Sequence, residues 1–271
     1  MKQIEFFGLP GSGKTLLKEK LLDKLSKENI NNYSYKGVIK EFLPSYEKNW
    51  LNFILLKIFF YFRSSKKKIS YNKKNLKNTF YNKESLLINI KKYVFKIYEK
   101  NIDKIFVKFE KKSFAQVTIY LIKNSNFSND NKLIFKRWLK EELVANYLIY
   151  KNKKKINYII DSEGFIQRLF IYLYKKNDKQ KIIRSYLKYC PIPYTLIVMK
   201  KKIFKKKKSL NKEFNMNTQE SLKNYSLINK ALTKDKKVKI IYNKDLIKSK
   251  FNIFWFYISL DIKDNNIYLF V

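Results

Sequence analysis

Gly8-Leu9-Pro10-Gly11-Ser12-Gly13-Lys14-Thr15 follows the short apolar run Ile4 to Phe7, and a helical pattern follows it in turn. The eight residues fit G-x-x-x-x-G-K-[ST], the phosphate-binding P-loop, in the order of strand, loop and helix that this motif requires. Three of the five glycines in the chain lie within it. A chain so poor in glycine has little chance of assembling this pattern at random, so the sequence predicts nucleotide binding here. The alternative is a glycine-rich turn that caps an ordinary helix.

Each position of the motif has a physical role. Glycine permits a backbone path with positive φ and lets amide groups approach oxygen atoms, so successive N–H groups and the positive end of the helix can hold a β-phosphate. Lys14 is expected to reach the β- and γ-phosphate oxygens, and Thr15 to offer its hydroxyl to Mg²⁺. The expected cofactors are therefore ATP and Mg²⁺. The predicted nucleotide-binding residues are Gly8, Pro10, Gly11, Ser12, Gly13, Lys14 and Thr15.

The composition indicates a globular protein with a large excess of lysine. Its 271 residues, 45% of them apolar, can bury the core of one domain. The formal net charge of +38 suggests nucleic acid or an anionic membrane as a partner. However, 56 of the 60 basic residues are lysine, and the chain is also rich in Asn, Ile, Tyr and Phe, which have AT-rich codons. Codon usage therefore explains the charge without any partner, and no specific nucleic acid is expected.

Several classes of site are excluded by the residues that the chain lacks. It has no histidine, which rules out Ser-His triads, histidine bases and histidine metal sites. Cys190 is the only cysteine, so there is no disulfide framework and no thiolate zinc site. The P-loop begins eight residues from the start and leaves no room for a signal peptide, so the cytosol is the expected location.

The middle of the chain, 38–155, shows helical periodicity without a convincing strand and is predicted to be a helical insertion. Trp50 to Phe62 is apolar nearly all round and too short to span a bilayer, which needs about twenty residues. A buried helix is expected. The alternative is a helix on a membrane surface, with contact through 50–68 that includes the basic cluster Ser64 to Lys68. Seven apolar residues farther on share one helix face: Leu86, Leu87, Ile90, Tyr93, Val94, Ile97 and Tyr98.

The other elements predict an α/β fold. Further strands are predicted at Tyr33 to Tyr35, where Gly37 ends the strand, at Ile156 to Ile160, at Tyr194 to Met199 and at Val238 to Tyr242. Helices separate these strands, and late ones are predicted at 218–233 and 245–260. Such an order predicts a parallel sheet with right-handed crossovers and helices on both faces. Ligands of such sheets bind at the carboxyl ends of the strands.

A second acidic motif, Asp161-Ser162-Glu163-Gly164, lies at the end of the strand Ile156 to Ile160. This position is at the same sheet edge as the P-loop, where Asp161 would bind Mg²⁺ or its water shell beside Thr15. Glu163 could act as a base or hold a second water. The alternative is a turn-forming aspartate followed by a solvated glutamate.

Together these segments resemble the P-loop kinases of the thymidylate-kinase-like group. The resemblance covers Ile4 to Thr15, Asp161 to Arg168, the basic segment Lys200 to Lys208 and the late strand Val238 to Tyr242. It is closest to members described only as kinase-like or as nucleotide-binding ATPases. It implies a P-loop NTPase core over roughly 1–37 and 156–260, within a single domain 1–271.

The few arginines of this chain are candidates for binding phosphate or acceptor, because the kinases that it resembles use arginines at such sites. Such kinases commonly have Asp-Arg or Glu-Arg at the strand end, whereas Ser162 stands here, and Arg168 is expected to substitute. The lid of these kinases bridges phosphates with arginines, whereas 200–208 offers only lysines, which lack the planar fork. Arg137 and Arg168 are predicted to hold a small, polar, anionic acceptor. The alternative is that both are ordinary surface arginines.

The sequence thus predicts ATP- and Mg²⁺-dependent phosphoryl transfer to a small acceptor, with Lys14, Asp161, Glu163 and Arg168 as catalytic residues. A regulatory GTPase would need N-K-x-D, and Asn243-Lys244-Asp245 lacks the spacer. No helicase-type motif favours a nucleic-acid ATPase. The open alternative is a non-catalytic nucleotide-binding module or a membrane-surface ATPase module.

Overall fold

The computed structural model describes residues 1–9, 12–64, 81–191, 193–199, 218–234 and 239–242. The strands are β1 Lys2–Gly8, β2 Asn32–Tyr33, β3 Tyr158–Asp161, β4 Thr195–Met199 and β5 Lys239–Tyr242. The helices are α1 Lys14–Lys27, α2 Tyr35–Phe42, α3 Trp50–Ser64, α4 Tyr81–Glu110, α5 Ser113–Lys123, α6 Asn129–Lys151, α7 Phe165–Tyr172, α8 Lys179–Tyr189 and α9 Thr218–Lys234. Two short 3-10 turns occur at Pro44–Tyr46 and Lys153–Lys155.

The five strands form one sheet in the order β2-β3-β1-β4-β5, and every neighbouring pair is parallel. From the central strand β1 the chain first moves to β2 and then turns back through β3, β4 and β5. Because crossovers between parallel strands are right-handed, the direction of each step decides which face its helix covers. The α1 helix therefore covers one face, and the helices of the later connections cover the other. This confirms the predicted α/β fold with a parallel sheet and helices on both faces.

Residues of the central strand alternate between two hydrophobic cores. Phe6 packs in the smaller core, together with Leu21 of α1. Phe7 points to the larger core, where its ring stacks on Phe170 and Tyr225 at centroid distances of 5.3 and 5.4 Å. Burial on both faces is typical of a central parallel strand, and it fixes the position of the loop that follows β1.

The described residues between β2 and β3 are helical and share one continuous core with the sheet. The α6 helix is central to this part, packing against α2, α4 and α5. Its buried face carries Phe135, Leu139 and Leu143, at helical spacing. The predicted helices are confirmed for the residues of this region that the structure describes.

The predicted strand end at Gly37 is wrong. Gly37 lies inside α2, which begins at Tyr35. The Ser34 hydroxyl caps this helix, because its Oγ accepts a hydrogen bond from the Gly37 N–H at 3.1 Å. The alternation from Tyr33 to Tyr35 is therefore a two-residue strand followed by a helix start.

The prediction that Trp50 to Phe62 is a buried helix is correct for one face only. Leu56 and Phe60 are buried. The opposite face exposes large apolar side chains, namely Trp50, Leu51, Ile54, Ile58 and Tyr61. Periodicity and composition identify a helix, but they do not show whether a partner covers its second face.

The apolar face predicted for α4 is likewise only partly buried. Val94, Ile97 and Tyr98 lie in the core, whereas Ile90 and Tyr93 are exposed. The α4 helix has 30 residues, and at 1.5 Å per residue it is about 45 Å long, so its burial changes along its length.

Some predictions concern residues outside the described ranges. The basic cluster Ser64 to Lys68 is described only at Ser64, and the structure describes the chain again from Tyr81, where α4 begins. The basic segment 200–208 and the helix 245–260 lie outside the described residues. Within the described ranges, no helix has both the length and the apolar character needed to cross a bilayer.

Candidate phosphate-binding site

The loop after β1 lies where the order of strands reverses. In open α/β sheets, the crevice at the carboxyl ends of the strands beside such a reversal is the usual ligand site. The neighbouring strand β4 lies very close to Gly8. A Cβ atom on Gly8 would lie only 2.9 Å from Met199 Cβ. Glycine is thus required where β1 ends. Pro10 and Gly11, two predicted members of the site, lie outside the described residues.

Gly13 begins the helix with the backbone conformation that the motif predicts. Its φ is +88°, and it is the N-cap residue of α1 without a side-chain cap. The space where a Cβ atom would lie is open, with no atom within 4 Å. The first N–H groups of a helix need acceptors from outside the helix. Ser12 adds a buried Oγ that has no hydrogen-bond partner, so these unsatisfied groups fit a bound phosphate.

Lys14 is a buried cation at the base of this loop. Its Nζ donates to the carbonyl oxygens of Gly8 at 2.8 Å and Leu9 at 2.9 Å. Burial lowers the pKa of Lys14 to about 8, against the opposing effect of the Glu163 carboxylate. Among the described residues, no carboxylate forms a direct ion pair with Lys14. A phosphate group would supply the negative charge that this site lacks.

We expect the affinity for Mg·ATP to fall above about pH 8. Phosphate binds the ammonium form of Lys14, whose pKa in the free protein is about 8, and the bound anion would raise that pKa. Below this pH Lys14 is already protonated, whereas above it each pH unit lowers the affinity by up to about tenfold. Calorimetry between about pH 7 and about pH 9.5 measures this slope, and an unchanged affinity over that range would contradict the role of Lys14.

The acidic pair lies at the same sheet edge. Asp161 ends β3, in register with Glu5 of β1. Its Oδ2 accepts a hydrogen bond from the Tyr35 N–H and its Oδ1 accepts one from the Glu163 N–H, each at 3.1 Å. Asp161 is therefore held at the N-terminus of α2. The Glu163 side chain is 61% exposed, so it is available to solvent and ligand.

The structure does not bring Asp161 into direct contact with Thr15, which is exposed in the first turn of α1. Within the described ranges, no group of three or more cysteine, aspartate or glutamate side chains could hold a metal ion by itself. Mg²⁺ bound with a nucleotide needs only one or two carboxylates, because phosphates and water supply the other oxygens. The assignment of Thr15 and Asp161 to this Mg²⁺ stays a prediction.

Arg168 contacts two carboxylates and a tryptophan. Its Nε donates to Glu142 Oε1 at 2.9 Å, and its Nη1 lies 3.5 Å from Glu163 Oε2. Its guanidinium carbon lies 4.1 Å from the centroid of the Trp138 ring. Burial raises the pKa of Glu142 to about 7, although Arg168 opposes this. Arg168 thus joins α7 to the helical insertion, and an anionic acceptor would have to compete with Glu142 for it.

Arg137 has different partners. Its Nε donates to Glu141 Oε1 at 3.1 Å, and its guanidinium carbon lies 4.7 Å from the Phe95 ring centroid. Glu141 also accepts a hydrogen bond from Tyr98, so Arg137 belongs to the contact between α6 and α4. Arg137 and Arg168 share no partner, and the structure does not bring them together. Their part in binding an acceptor stays a prediction.

Sequence reasoning missed a buried carboxyl group next to the loop. Glu5 of β1 is 1% exposed, and burial raises its pKa to about 8. Its Oε1 accepts a hydrogen bond from the Gln167 N–H at 2.9 Å, and Gln167 Oε1 accepts one from the Gly8 N–H at 3.0 Å. Gln167 thus links Glu5 to the start of the P-loop. The signal was present in the sequence, since Glu5 is the one charged residue in the run Ile4 to Phe7.

In comparisons with known proteins, no family model matches this chain, and no curated protein or solved structure matches it either. The residues of the site itself are therefore the basis for inferring a function.

Proposed function

We propose that this protein binds ATP with Mg²⁺ at the loop between β1 and α1 and transfers a phosphoryl group to a small, polar, anionic acceptor. The observation that carries the proposal is the buried ammonium of Lys14 beside a left-handed Gly13 at an uncapped helix start. A buried cation without a direct acidic partner is unfavourable unless an anion joins it. The P-loop pattern specifies that anion as the phosphates of a nucleotide.

Each nearby residue has a proposed task. The backbone N–H groups at the start of α1 and the Lys14 ammonium bind phosphate oxygens. Thr15 and Asp161 hold Mg²⁺, which neutralises charge on the phosphates when it is bound. Glu163, exposed beside Lys14 and Arg168, is the residue available to accept a proton from the acceptor hydroxyl. The exposed side of this edge, toward α6, is where an acceptor would enter.

We expect Asp161→Asn to lower turnover by at least about a hundredfold while changing ATP affinity by less than about threefold. The reason is that metal positioning matters most when charge develops on the transferred phosphoryl group. A thermal-shift screen of nucleosides, nucleotides and phosphorylatable sugars identifies the acceptor, and an ADP-release assay then measures turnover. Asp178→Asn at the start of α8 is the matched control. Equal turnover in Asp161→Asn and wild type would mean that the acidic pair only forms a turn.

A non-catalytic nucleotide-binding module is the second candidate, and one observation favours it. Arg168, the expected substitute for the arginine of related kinases, is already bound to Glu142. A protein that binds ATP at the P-loop with normal affinity but releases no ADP with any acceptor would fit this candidate and not the kinase.

A further inference from the structure

The exposed apolar residues of α3 form a stripe along the helix. Trp50, Ile54, Ile58 and Tyr61 follow one another at intervals of three or four residues, which places them on one side. Trp50 is 72% exposed and Ile58 is 46% exposed. Large apolar side chains that share one exposed face mark an interaction surface, whereas single ones need no explanation.

The first part of α4 also exposes apolar side chains. Ile88, Ile90 and Tyr93 are exposed there. The Tyr93 hydroxyl donates a hydrogen bond to Asn52 Oδ1 at 3.3 Å, which joins this part of α4 to α3. The two helices also pack against each other. We call these exposed residues of α3 and α4 the α3–α4 face.

The charged residues of the α3–α4 face itself are all basic, and the nearest acidic partner that contacts them is Glu41 of α2. Neither 48–61 nor 88–98 contains an acidic residue. Exposed lysines lie within these stretches, namely Lys48, Lys57, Lys91, Lys92 and Lys96. Lys57 is 3.7 Å from Glu41 of α2, and both side chains are about half exposed, so that pair is weak in water. An acidic surface complements this face.

We propose that the α3–α4 face binds the surface of an anionic phospholipid bilayer. Apolar side chains of such a helix enter the bilayer to a depth of about 5–10 Å, and lysines reach the headgroups. Trp50 and Tyr61 are the residue types that favour the membrane–water interface. A second copy of the chain fits less well, because each copy carries +38 and the same lysines would oppose one another. This inference does not depend on nucleotide binding.

The test compares two charge-neutral double variants of the full chain. Trp50→Ala with Ile58→Asn removes apolar surface from the α3–α4 face. Tyr120→Ala with Leu133→Asn is the matched control, because these residues are 66% and 62% exposed on α5 and α6. Sedimentation with vesicles of phosphatidylserine and phosphatidylcholine at physiological salt gives the affinities. We expect at least a tenfold loss for the first variant and a change of less than about twofold for the control.

A second measurement reports whether Trp50 enters the bilayer. Brominated lipids should quench the part of the fluorescence that Trp50→Phe removes. Equal binding of both double variants would show that charge alone attracts the chain and would overturn the proposal. So would equal binding to vesicles of pure phosphatidylcholine, absence of vesicle binding, or an unquenched Trp50. A dimer that sedimentation velocity detects in wild type and not in the first variant would show that a second copy covers the face, which also overturns it.

Discussion

Lys14→Met is expected to weaken Mg·ATP binding by at least about a hundredfold and to leave the fold intact. The loss corresponds to about 3 kcal/mol, the range for a charge-assisted contact to a phosphate in a site with little water. The fold should survive because the Lys14 ammonium contacts only two loop carbonyl oxygens, and methionine retains the apolar stem of the side chain.

Lys20→Met is the control for this substitution. Lys20 is exposed on the same helix, so the change in net charge and in residue type is the same. Calorimetry gives both affinities, and thermal unfolding shows that each variant is folded. If the two variants bound Mg·ATP equally well, the buried ammonium would have no role in binding phosphate.

Gly164→Ala is expected to destabilise the protein by about 3 kcal/mol. A Cβ atom at this position would lie 2.5 Å from Glu5 Cδ and 2.6 Å from Glu5 Oε2. Glu5 is buried in the central strand and cannot move aside without displacing the sheet or the start of α7, so the overlap is relieved only with strain. Urea unfolding measures the loss of free energy.

A double-mutant cycle identifies the cause of this loss. Glu5→Ala removes the side chain that Gly164→Ala would meet, so the double variant should be more stable than the sum of the two single changes predicts. Gly37→Ala is the control, since its nearest neighbour would be Ser34 Oγ at 3.5 Å and the residue lies within α2. In a helix, alanine in place of glycine should stabilise by up to about 1 kcal/mol. Additive effects of Glu5→Ala and Gly164→Ala would contradict the close contact.

The parts of the site that follow one another in sequence were predictable, and those that meet across the fold were not. Strand, loop and helix follow from the local pattern at Gly8 to Thr15, and the alternation of strands and helices predicts the parallel sheet. By contrast, Glu5 contacts Gly164 and Gln167 only because β1 and β3 pair side by side. No local pattern in the sequence contains that pairing.

The same limit explains the prediction for Arg168. Arginine is rare in this chain, which suggested that Arg168 binds an anion. In the structure, however, its partner is Glu142 of the insertion. Glu141 and Glu142 are adjacent, and the rotation of α6 against α7 decides which one faces Arg168. Sequence periodicity predicts the helix, but it does not determine the rotation of the helix accurately enough to choose between two adjacent residues. The exposure of α3 was left open between a buried and a membrane-surface helix for a similar reason, since an apolar helix has the same composition whether or not a partner covers it.

Selective ¹⁵N labelling of glycine tests the central claim most directly, because the five glycines give only five backbone amide signals. If Gly8 to Thr15 bind the phosphates of a nucleotide, Mg·ATP should shift the signals of Gly11 and Gly13 most, in a saturable way. The Gly37 signal, from α2, should stay in place, and Lys14→Met should abolish the shifts at the same ligand concentration. Unmoved signals from Gly11 and Gly13 at saturating Mg·ATP would contradict the account.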